Sequence, residues 1–74
     1  MPEGEVRWFS WKRGYGFIAS PVWPKDIFFH VSAVRQAGIT RLEPGMRVAF
    51  TLEEDARRPG RAIARNLRIV AAAP

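Results

Sequence analysis
Polar and apolar positions alternate along most of this 74-residue chain, and short clusters of glycine, proline and charge interrupt the alternation. A period of two marks half-buried strands, because successive side chains point to opposite faces. In residues 15–19, Tyr15 and Phe17 share one face, with Gly16 and Ile18 on the other. Residues 26–31 answer this stretch, with Phe28 and His30 opposite Ile27, Phe29 and Val31. Residues 47–53 alternate cleanly and turn Val48, Phe50 and Leu52 inward; residues 61–70 turn Leu67 and Ile69 inward and Arg68 outward. Residues 5–9 have strand composition, but Val6 and Trp8 share a parity against Arg7 and Phe9, which predicts a bend or bulge.

The connections read as turns. Gly14 closes the link from Ser10, and two prolines confine residues 20–25 to a loop. Ser32 is placed to cap a single helical turn that Gly38 ends. Residues 39–43 connect to the turn Glu43-Pro44-Gly45, residues 54–60 form an exposed hairpin-type loop, and residues 71–74 are a frayed end. Five short strands without a long helix predict an all-β chain forming a small closed or partly open barrel, since closure removes exposed edges.

Composition narrows the class. The length suits one domain, residues 1–74, with its core at about 4–70. There is no cysteine, so neither a disulfide nor a thiolate zinc site supports the fold. No stretch is long and apolar enough to span a bilayer, and the polar, acidic start is unlike a signal peptide, so the expected location is cytoplasmic. The formal charge is +5, and ten of the twelve basic residues are arginine, which both pairs with phosphate and lies flat on rings. Eight of the nine aromatic residues fall between Trp8 and Phe29. A core alone would spread its rings more evenly, so one sheet is expected to carry a ring-rich outer face.

The candidate chemistry follows. Tyr15, Phe17, Phe28 and His30 form a platform for stacking flat groups, joined by Trp8. Trp11 reads equally well as a further platform or as a loop anchor, whereas Trp23, between prolines, reads as a packed loop residue. Arg7, Lys12 and Arg13 are candidate phosphate contacts. Arg61 is read as a solvated charge, as is the acidic run Glu53-Glu54-Asp55. His30 is the only histidine, which rules out an ordinary zinc site and assigns it to stacking and hydrogen bonding. Gly14 and Gly16 are assigned to turn geometry and close backbone packing.

Gly4-Glu5-Val6-Arg7-Trp8-Phe9-Ser10, Gly14-Tyr15-Gly16-Phe17-Ile18 and Asp26-Ile27-Phe28-Phe29-His30-Val31-Ser32-Ala33-Val34 closely resemble the opening strand and the two ribonucleoprotein motifs of the cold-shock domain family. Residues 42–50 and 64–67 resemble its last two strands, so the resemblance covers about residues 4–70. It implies a five-stranded oligonucleotide-binding (OB-fold) Greek-key barrel with one short helical turn after the third strand, binding single-stranded RNA and DNA. Carried over residue by residue, it implies a surface of Arg7, Trp8, Phe9, Arg13, Tyr15, Phe17, Phe28 and His30. Departures from the pattern include Phe29 in place of an inward aliphatic, and Val31 and Ile39 in place of aromatics, which thins the stacking surface at one end.

The expected function is therefore a monomeric, non-enzymatic nucleic-acid chaperone without cofactor, metal, small-molecule substrate or membrane. It would keep strands unpaired and act on translation or transcription termination, as the resemblance implies. A small barrel binding a peptide or protein partner is the alternative, but such grooves carry acids beside their rings, and Arg7, Lys12 and Arg13 flank these. A hydrolase lacks an acid–base pair near His30.

Overall fold
The computed structural model describes residues 1–72. Five strands, β1 (Glu3–Ser10), β2 (Tyr15–Ala19), β3 (Ile27–His30), β4 (Arg47–Glu54) and β5 (Ala62–Ala71), close into a barrel in the order β1-β2-β3-β5-β4. One short helix, α1 (Val31–Gln36), follows β3. β1–β2, β2–β3, β1–β4 and β4–β5 pair antiparallel, while β3 and β5 close the barrel through a parallel pairing of Phe28 with Ile63. This is the five-stranded OB-type architecture expected from the sequence.

The core is built by the inward parities. Val6, Ile18, Ile27, Phe29, Val48 and Phe50 are buried, and Val34 of α1 plugs the barrel with them. Phe29 fits because Gly16 stands opposite it. A Cβ at Gly16 would lie 2.5 Å from Phe29 Cζ and 2.5 Å from the Trp8 carbonyl oxygen. The missing side chain is therefore the space into which the large ring extends.

Strand edges differ from the sequence reading at several points. β1 begins at Glu3 rather than residue 5, and the expected bulge is present as a register shift between Val6 and Trp8. β3 stops at His30, and Val31, expected in the strand, begins α1 with its side chain buried. The Val31 N–H still donates to the Gly14 carbonyl at 2.8 Å, which extends the β2–β3 register by one pair as the chain enters α1. The helix cap is His30, not Ser32: the His30 Nδ1 accepts from the Ser32 N–H at 3.1 Å. At the other end the Gly38 N–H donates to the Arg35 carbonyl at 3.0 Å, closing the last turn as expected.

β4 is less cleanly alternating than its sequence. Leu52 is only half-buried, whereas Ala49 is buried between Glu3 and Arg68, whose longer side chains flank it. β5 starts at Ala62 rather than residue 61 and carries two irregularities the sequence did not announce, opposite Arg47/Val48 and opposite Ala49/Thr51. At the latter Asn66 has a φ of 54°. The extra residue moves the inward parity from Ala62 and Ala64 to Leu67, with Ile69 half-buried. Ala71, expected to be frayed, lies in β5; positions 73–74 of that expected end lie outside the described residues. Among the described residues no helix is long and apolar enough to cross a membrane, a statement that does not bear on strands.

Candidate nucleic-acid interface
Three consecutive strands set the ring face. In β2–β3, Tyr15 pairs with His30 and Phe17 with Phe28, while Gly16 and Ile18 pair with Phe29 and Ile27 on the inner side. The bulge in β1 then matters. Val6 stands opposite Ile18 and points into the core, yet Trp8 stands opposite Phe17 and points out, although a regular strand would put both on one face.

The result is a contiguous outer surface of four rings. Trp8 lies 5.3 Å from Tyr15 and 6.4 Å from Phe17, centroid to centroid. Tyr15 stacks beside Phe28 at 5.7 Å with an interplanar angle of 25°, and Phe17 meets Phe28 edge-on at 6.1 Å. Trp8 is 39% exposed, and Tyr15, Phe17 and Phe28 are half-buried against one another rather than in the core. Each ring therefore keeps an accessible surface while its neighbours restrict its rotation, so little side-chain freedom remains to be lost on stacking.

The structure divides the other expected site residues. Exposed His30 borders Tyr15, and its capping bond to Ser32 fixes the imidazole at the edge of the rings. An accepting Nδ1 puts the proton of the neutral ring on Nε2, leaving a donor for a base edge. Phe9 is not part of the ring face. It stands opposite Gly16 and stacks on core Phe29 at 5.4 Å. Trp11 leans edge-on against Phe9 at 5.0 Å yet is 43% exposed, so it anchors a loop at the barrel end and keeps a free surface. Trp23 packs against the core cluster, as its loop position suggested.

Arg7, Lys12 and Arg13 are exposed, and none forms an ion pair among the described residues. Their charge is thus available to an anion. The Arg13 N–H donates to Ser10 Oγ at 3.1 Å, tying the basic β1–β2 turn to the end of β1.

On the far side of the rings the sequence reading needs correction. Arg61 is not merely a solvated charge: its guanidinium carbon lies 4.0 Å over the centre of the Phe28 ring. Arg61 and Arg58 line an open cleft with Tyr15, Phe17, Asp26 and Phe28. A neighbouring cleft beside Phe28 and His30 is lined by Glu53, Glu54 and Asp55. Two of these acids have arginine partners, Glu53 with Arg65 at 2.9 Å and Asp55 with Arg61 at 3.9 Å. No sequence signal links Arg61 to Phe28, because the loop before β5 meets β3 only through barrel closure.

A closed five-stranded barrel with rings turned outward, beside cations unpaired among the described residues, defines a nucleic-acid-binding OB-type domain. The family model described as the 'Cold-shock' DNA-binding domain matches residues 2–69, and the chain belongs to that family, whose proteins bind nucleic acids and are not enzymes. The chain is 38% identical over 68 residues to a probable cold shock protein of Sinorhizobium fredii, covering 92% of this chain and 97% of that protein. It is 42% identical over 59 residues to a major cold shock protein of Streptococcus pyogenes, covering 80% and 87%. A major cold shock protein of Bacillus cereus is 43% identical over 56 residues, covering 76% and 82%.

Proposed function
We propose that this chain binds single-stranded RNA and DNA with weak sequence preference. In this role it is a monomeric, cytoplasmic nucleic-acid chaperone consisting of one barrel module. The supporting observation is the outward ring face of Trp8, Tyr15, Phe17 and Phe28 beside cations that have no acidic partner among the described residues. Every base has a flat face, so stacking at about 1–3 kcal/mol per base gives affinity without strong sequence choice. A duplex hides those faces. Binding only the open strand therefore draws RNA hairpins toward the unpaired form by mass action, without ATP. Open leader or terminator RNA is the route by which such binding acts on translation or transcription termination.

Tryptophan fluorescence tests this reading, because Trp8 sits among the rings. Titration with a short oligothymidine strand should quench the signal, more weakly as salt rises, and a duplex of equal length should compete poorly. Quenching by a proline-rich peptide but not by the strand would replace the reading with partner-protein recognition.

A further inference from the structure
The geometry points to Arg61 as a resident competitor for the stacking place on Phe28, one that an incoming base must displace. The inference rests on the single-strand reading above but goes beyond it. Arg61 Cζ stands 4.0 Å over the Phe28 ring centre, about the distance at which a stacked base would lie. Arg61 thus lies over part of the face that half-buried Phe28 would offer a base, whereas among the described residues no cation stands over Trp8.

The cover is held from behind. Arg61 Nε lies 3.9 Å from Asp55 Oδ2, and the two side chains are 32% and 15% exposed. The loop between them is tied by its own backbone. The Asp55 N–H donates to the Arg61 carbonyl at 2.8 Å, the Arg61 N–H to the Arg58 carbonyl at 3.0 Å, and the Arg58 N–H to the Asp55 carbonyl at 3.2 Å. Asp55 Oδ1 also accepts from the Arg57 N–H at 2.9 Å, which fixes the carboxylate. Among the described residues Arg7, Lys12 and Arg13 have no such partner, whereas Arg61 is already engaged on both its plane and its edge. A flat cation is the side chain that can imitate a base on a ring, which lysine does poorly. The Phe28 position is therefore a latched subsite: the strand fills the Trp8 and Phe17 end first and takes Phe28 by moving Arg61 aside.

Two measurements test this on the full chain. The first is the proton NMR spectrum of the Arg61 side chain. Its δ-methylene protons should be shifted upfield by the Phe28 ring current in the free protein, and should lose that shift at saturation with oligothymidine. A shift that is absent in the free protein, or that persists at saturation, would overturn the latch; persistence would mean the base stacks on the guanidinium. The second is binding of an oligothymidine with an uncharged methylphosphonate backbone, which removes any phosphate contact from the comparison. Arg61→Ala should bind it about two- to fivefold more tightly than the unsubstituted chain, the value of one exposed cation–π contact. Equal or weaker binding would count against the latch. If ordinary oligothymidine fails to bind the unsubstituted chain, it is the single-strand reading that falls.

Discussion
His30 carries two jobs on one imidazole. Its Nδ1 caps α1, and its ring extends the aromatic face beside Tyr15. The jobs separate by substitution. His30→Ala should cost about 0.5–2 kcal/mol of stability through the lost cap. His30→Asn should recover most of that, because asparagine caps well, yet should still bind oligothymidine more weakly than the unsubstituted chain. Urea denaturation and fluorescence titration read the two effects; full recovery of binding by asparagine would show that the ring itself is idle. Gly16 is the other residue with a structural role out of proportion to its size. Gly16→Ala would drive a methyl against the Trp8 carbonyl, which cannot move without breaking the β1–β2 ladder, and against Phe29. A loss of about 1–3 kcal/mol is expected in urea denaturation. The sequence assigned Gly16 to close packing, but the cap at His30 was hidden: it depends on β3 ending one residue earlier than the apolar run suggests.

At the scale of the strand, neighbouring phenylalanines on β3 should behave as opposites. Phe28 lies on the ring face and Phe29 is wholly buried. Phe28→Ala should weaken strand binding by about 1–3 kcal/mol with little change in the unfolding midpoint. Phe29→Ala should cost about 3–5 kcal/mol of stability, enough to unfold much of a small domain. Melting curves and titrations of both variants check this, and an unfolded Phe28→Ala protein would move that ring into the core. The alternation of residues 15–19 and 26–31 was enough to foresee this division. Bulges were legible only where parity conflicted visibly. In β1 the conflict of Val6 with Trp8 announced one. In β5 it went unread, because Ala62 and Ala64 are small and give a faint apolar signal before the parity changes at Asn66. Phe9 differs from the outer rings for a related reason: β1, once bulged, sets it beside core Phe29, where it is only partly exposed.

For the molecule as a whole, the formal charge is +5. Arg41, Arg47, Arg61 and Arg65 each have a carboxylate partner, whereas Arg7, Lys12 and Arg13, beside the rings, belong to the cations that have none among the described residues. Each phosphate neutralised on a single strand lowers log affinity by about 0.7 per log unit of salt. Replacing Arg7, Lys12 and Arg13 together by alanine should therefore flatten the salt dependence of oligothymidine binding by about 2 log units per log unit, if each meets one phosphate. Fluorescence titrations across a salt series measure the slope, and an unchanged slope would remove these residues from the interface. Glu53, Glu54 and Asp55 line the cleft beside Phe28 and His30 together with Arg57 and Arg65, so that cleft carries charges of both signs.

By itself, the sequence determined the five strands, the outward rings and the cations beside them. Side-chain alternation is a local rule, readable from a few neighbouring residues. Tertiary structure alone decided what stands over Phe28. Arg61 is remote from it in the chain, and the two meet because β3 and β5 close the barrel in parallel, with Phe28 opposite Ile63. A contact set by closure has no local period, so no pattern along the chain could reveal it.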